Sequence, residues 1–126
     1  MDTAFAAEDL AFRDDVRAFF DRAYDGDLEQ RLNNPDPAVF QPAIIDWQKR
    51  LFEQGWIAPN WPVEYGGTGW DATKAFIYET ERASRGIRDV IPFGLKMVGP
   101  VIYTFGTDEQ KKKFLPRILN SDDWWC

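Results

Sequence analysis

Among the residue types that carry catalysis, this 126-residue sequence holds no histidine and a single cysteine, Cys126 at its last position. A thiol with no imidazole to activate it is a poor nucleophile, so thiol chemistry is not expected. The commonest metal ligand is missing too, and no metal site is expected. Glu79 and Glu81 stand two apart, which on a helix points them to different faces, so a carboxylate pair for glycoside chemistry has little support. Residues 65–70, YGGTGW, invite a phosphate-loop reading. Their spacing fits neither GxGxxG nor the GxxxxGK pattern, and no strand precedes them. A tight turn that folds the tryptophans back is the expected role. Lys111, Lys112 and Lys113 could meet a phosphorylated ligand, but such a run more often forms the solvated face of a helix. No catalytic and no cofactor-binding residue is expected in this chain.

A better candidate is the apolar stretch from Ile91 to Phe105. Phe93, Gly94, Leu95, Met97, Val98, Gly99 and Val101 mix bulky with small side chains. Small residues beside large ones leave room, and methionine adapts to flexible aliphatic shapes. Ordinary helix packing would use the same residues. The segment holds no complete catalytic apparatus, so its chemistry is that of a wall.

The elements that must position this wall follow from composition and periodicity. Hydrophobic residues make up 44% of the chain and charged ones 29%, as in a globular domain of about this length. Aromatics reach 16%, with six Trp and ten Phe, which suggests wide helix contacts, an apolar pocket, or surface awaiting another domain. The net charge, 15 − 21 = −6, opposes nucleic acid and anionic membranes as partners. No apolar run approaches the ~20 residues of a membrane span, and the acidic start is no signal peptide, so a cytoplasmic location is expected.

A first helix is expected over Ala7–Tyr24, with Leu10, Phe12, Val16, Phe19, Phe20 and Ala23 on one face and Gly26 at its end. NNPDPAVFQP, residues 33–42, reads as a loop, followed by a helix over Ala43–Gln54 with Ile44, Trp47 and Leu51 inward. Residues 55–70, GWIAPNWPVEYGGTGW, combine proline-forced extension with permissive glycines, and their large aromatics must pack on something. Asp71 reads as the cap of a helix to Ser84 with Ala72, Phe76, Ile77, Thr80 and Ala83 inward. Pro92 and Pro100 split the next stretch into a helical turn and a helix over Pro100–Phe105. Thr107 and Gln110 form a capping box for a last helix that breaks near Pro116. The fold class is all-α, a bundle of about five or six helices.

In this order, AFRDDVRAFF, GWIAPNWPVEYGGTGW, IPFGLKMVGPVIYTFGTDEQKKKFLPRIL and DDWWC resemble the N-terminal α-helical domain of the acyl-CoA dehydrogenase family. The resemblance covers nearly the whole chain. IPFGLKMVGPVI followed by DWWC is similar to the bacterial branch that includes pimeloyl-CoA dehydrogenase large subunits. The resemblance implies residues 1–123 as the helical domain and 124–126 as the opening of a middle β-domain that is missing here. It implies α,β-dehydrogenation of an acyl-CoA thioester, with a glutamate base and FAD supplied by the absent domains, so this chain alone is expected to bind no FAD. Partners would be acyl-CoA, the middle and C-terminal domains, and like or unlike subunits. The implied tunnel wall comprises Phe93, Gly94, Met97, Val98, Val101 and Tyr103. Lys96 and Tyr103 depart from an aliphatic lining: turned inward they could meet a polar substrate end, and otherwise they face solvent or a neighbouring domain. The rival reading is a free-standing helical interaction module without flavin chemistry.

Overall fold

Polar caps set most of the helix starts. The computed structural model describes residues 5–125, and its α-helices are α1 (Ala7–Ala23), α2 (Gly26–Leu32), α3 (Pro37–Gln54), α4 (Ala72–Ser84), α5 (Gly99–Phe105) and α6 (Asp108–Leu119). A 3-10 turn covers Val63–Tyr65 and a π-helical segment covers Phe93–Val98. There is no strand among the described residues, as the all-α expectation required. The side chains of Asp25, Asp36, Asp71 and Thr107 each accept a backbone N–H at the start of α2, α3, α4 and α6. Thr107 and Gln110 complete the capping box in both directions. Gly55, at φ 85°, closes α3 in the left-handed conformation that glycine adopts without strain.

Three boundaries differ from the sequence reading. Gly26 does not end α1; it opens α2, because Asp25 caps the Leu28 N–H at 2.8 Å. Residues 33–42 are not all loop, since α3 starts at Pro37, the first helical position, where a missing N–H costs nothing. Pro116 does not break α6, which runs on to Leu119. Pro42 and Pro116 each deprive one carbonyl of its donor, that of Ala38 and of Lys112. Both of those residues are exposed, so water can serve the carbonyls.

α1 packs on α4, α2 on α3, and α6 on both α5 and the π segment. The core is one cluster centred on Trp47, Phe20, Leu28, Leu32, Ile44, Ile118 and Val16, each less than 2% exposed. Trp47 stacks on Phe19, meets Tyr24 edge-on at 5.1 Å, and donates its indole N–H to Arg88 O at 3.1 Å. The inward face of α4 is not the expected one. Ile77 and Tyr78 are buried, whereas Ala72, Phe76, Thr80 and Ala83 are exposed. Two things rotate the helix. Tyr78 joins an aromatic group with Trp56 and Trp70, and Lys74 and Glu81 reach across to Asp9 and Arg17 of α1.

Candidate ligand-facing segment and cavity

Residues 55–70 hold the candidate wall in place. Gly66, at φ 109°, ends the 3-10 turn, and the Gly67 N–H returns to Pro62 O at 3.0 Å. The tight turn expected of YGGTGW is therefore what the structure contains. It swings Trp61 inward until its indole N–H donates to Leu95 O at 2.7 Å. Tyr103 lies edge-on to Trp61 at 5.5 Å and stacks on Tyr65 at 5.7 Å. Lys111, read from sequence as outward, is half-buried: its ammonium donates to the Tyr65 hydroxyl at 3.2 Å and sits 5.2 Å from that ring's centre. Lys112 and Lys113 are exposed.

The π segment and α5 present two different sides. Leu95 and Gly99 are buried, and Val98 and Ile102 are half-buried against the core. Phe93, Met97, Val101 and Phe105, spaced four apart, remain 42%, 56%, 58% and 83% exposed. Full burial of such side chains is worth about 1.5–3 kcal/mol each, and part of that is forgone here. The expected wall residues thus separate. Phe93, Met97 and Val101 share the open stripe, whereas Val98 turns to the core. Gly94 lies under Trp125, where an added Cβ would come 3.1 Å from both Trp125 Cδ1 and Ile118 Cγ2. Trp124 is exposed and Trp125 half-buried; neither is helical, and Cys126 lies outside the described residues.

Tyr103 belongs to a separate feature, a cavity of about 580 Å3 walled by Trp56, Trp61, Trp70, Tyr78, Leu95 and Tyr103. Sequence reasoning did not assemble this group, although the aromatic excess was its signal. Four charged residues also line it, and they are paired: Arg82 with Glu79, and Lys96 with Asp89 at 2.7 Å. Lys96 is half-exposed, so it closes an ion pair at the surface. The Glu79 hydrogen bond raises the Arg82 pKa, and burial pushes the Tyr78 hydroxyl well above its ordinary range. The charged groups of the cavity are therefore each held by an oppositely charged neighbour. Among the described residues no group of three or more Cys, Asp or Glu side chains could hold a metal ion, and no helix is long and apolar enough to cross a membrane.

Residues 6–122 match the family model described as acyl-CoA dehydrogenase, N-terminal domain. The chain belongs to the acyl-CoA dehydrogenase family. It is 36% identical over 81 residues to acyl-CoA dehydrogenase IpdE1 of Mycolicibacterium smegmatis, covering 64% of this chain and 21% of that protein. It is 46% identical over 74 residues to FadE26 of Mycobacterium tuberculosis, covering 58% and 18%. Among solved structures it resembles a chain of the ChsE4–ChsE5 complex from Mycobacterium tuberculosis, at TM-score 0.72 and 31% identity over 97% of this chain and 30% of that one. The chain thus spans about a fifth of the length of these two curated relatives.

Proposed function

We propose that this chain serves as the N-terminal helical domain of an FAD-dependent acyl-CoA dehydrogenase, which introduces an α,β double bond into an acyl-CoA thioester. Its role is to wall the acyl-binding site with the Phe93, Met97 and Val101 stripe and to support the domain that carries the flavin. The observation that carries this reading is the open apolar stripe within a domain whose family match runs from residue 6 to residue 122. The small share of each relative that the chain covers supports assigning the other parts of the reaction to a middle and a C-terminal domain.

The described residues do not suit the flavin itself. No strand leads into a glycine-rich helix start, and the N-termini of α2, α3, α4 and α6 already spend backbone donors on their own caps. The remaining long helix, α1, places Glu8 and Asp9 in its first turn, where they repel a pyrophosphate. Residues 1–123 would thus be a scaffold and wall, with the chain continuing into a β-domain at 124–126. A solved relative described as a complex supports an assembly of like or unlike subunits. An open stripe also suits a free-standing interaction module.

Flavin content separates the two readings. The protein encoded by the complete reading frame around this chain, once purified, should carry FAD that bleaches anaerobically on adding a saturated acyl-CoA. This chain alone should be colourless. A complete protein without flavin, or with flavin unresponsive to every acyl-CoA tried, would leave the interaction module standing.

A further inference from the structure

Segment 93–105 contains a backbone problem that a side chain outside it solves. Pro100 has no N–H. In an α register that gap orphans the carbonyl four residues back, on Lys96; in a π register it orphans the one five back, on Leu95. The Gly99 N–H, the nearest other donor, is taken by Gly94 O, five residues back. The Leu95 carbonyl therefore has no helical donor, and Leu95 is buried. Trp61 supplies the missing bond through its indole N–H at 2.7 Å.

Sterics point the same way. A Cβ on Gly99 would stand 2.8 Å from Trp61 Cη2 and closer still to Cζ2, so the indole lies in a notch that glycine leaves open. The ring cannot swing freely either. Its own backbone N–H is held by Ala58 O at 3.1 Å, the next residue is Pro62, and Tyr103 braces its edge. A donor fixed over Leu95, with none over Lys96, favours the π register.

We propose that Trp61 is a positioning residue: its indole N–H replaces the donor that Pro100 lacks, selects the π register, and so sets which side chains residues 93–105 present outward. One residue of register is about 100° of helix rotation. Reversion to an α register turns Val101 and Phe105 by that amount relative to Phe93 and Met97, and spreads the four over about 120° of the helix. The consequence for acyl binding rests on the function proposed above; the register itself does not.

The test uses 15N,13C-labelled 126-residue chain. In the wild type, the Trp61 indole proton exchanges slowly and shows through-bond coupling to the Leu95 carbonyl. Trp61→Phe keeps a ring and removes the donor, and the through-bond coupling of the Gly99 amide should move from the Gly94 carbonyl to that of Leu95. Adding Pro100→Ala to that variant gives Lys96 O its α-helical donor and should leave the Gly99 coupling on Leu95. A residue that merely fills space would leave that coupling on Gly94 when only its donor is removed. Fast exchange of the wild-type indole, or Gly99 still coupled to Gly94 in Trp61→Phe, would each overturn the proposal. If Trp61→Phe does not fold, the wild-type coupling alone decides. In the complete enzyme, Trp61→Phe should raise KM for acyl-CoA more than it lowers kcat. A moved Gly99 coupling with an unmoved KM would uphold the register and refute the acyl-wall role.

Discussion

A single methyl group at Gly67 should cost this domain about 3 kcal/mol. An added Cβ would lie 2.6 Å from the Trp61 carbonyl carbon, closer still to its oxygen, and 3.0 Å from Pro62 O. Carbon contacts are comfortable near 3.5 Å, so the backbone must open by about 1 Å or more. No side chain can yield, because the obstructing atoms are main-chain and Pro62 fixes its own φ. Opening the turn breaks the Gly67 N–H bond to Pro62 O, worth about 1 kcal/mol. It also drags Trp61, buried at 6% exposure, away from Leu95 and forces misfit packing, worth about 1–3 kcal/mol. Gly26→Ala is the control: nothing lies within 4 Å of its Cβ, and it opens α2, so it should be neutral or stabilising by up to about 1 kcal/mol. Urea unfolding followed by tryptophan fluorescence reads both. With a slope of about 1–3 kcal/mol per molar, Gly67→Ala should lower the midpoint by about 1 M or more. A midpoint within about 0.3 M of wild type, with Trp61 still hydrogen-bonded, would refute the steric argument.

Thr107→Ala removes one side of the capping box on α6 and should cost about 1 kcal/mol in thermal or urea unfolding, with Thr107→Ser restoring most of it. Acid should destabilise the fold through Asp46. Burial pushes its carboxyl up, but hydrogen bonds from Arg31 and Arg50 outweigh that and hold it below its ordinary 3.8. A carboxyl depressed in the fold contributes stability that is present above its unfolded pKa and lost as pH falls through the folded one. The loss should therefore appear as the pH falls below the ordinary carboxyl value, and Asp46→Asn should flatten that acid part of the pH profile of unfolding. The open stripe should make this chain self-associate at micromolar concentration in sedimentation, while Met97→Glu with Phe105→Glu should restore a monomer and change stability by less than about 0.5 kcal/mol.

What the sequence announced best were features with a local cause. Asp71, the Thr107–Gln110 box and Gly55 mark helix ends through hydrogen bonds and backbone conformations that adjacent residues decide. The periodic Val16, Phe19 and Phe20 face of α1 is likewise where it was expected. Features decided at long range were not legible. Two faces of α4 are apolar enough to be buried, and the choice fell to Tyr78 because Trp56 and Trp70 were there to receive it. Proline misled twice, at Pro42 and Pro116, because its cost depends on whether water reaches the freed carbonyl, which is a matter of tertiary exposure. The stretch 91–105 stood out in the sequence as unusually apolar. Its division into a stripe, a core side and a cavity side depends on a π turn, which no residue spacing within 93–105 signals and which Trp61 holds from more than thirty residues away.

The central claim, that the outward stripe of residues 93–101 meets the acyl chain, can be tested by photolabelling. The complete enzyme is irradiated with an acyl-CoA that carries a diazirine along its chain, and the labelled peptides are mapped by mass spectrometry. The account expects label on Phe93, Met97 or Val101, suppressed by an excess of unmodified acyl-CoA. Label confined to other domains, with residues 93–101 unmodified at full occupancy, would contradict it.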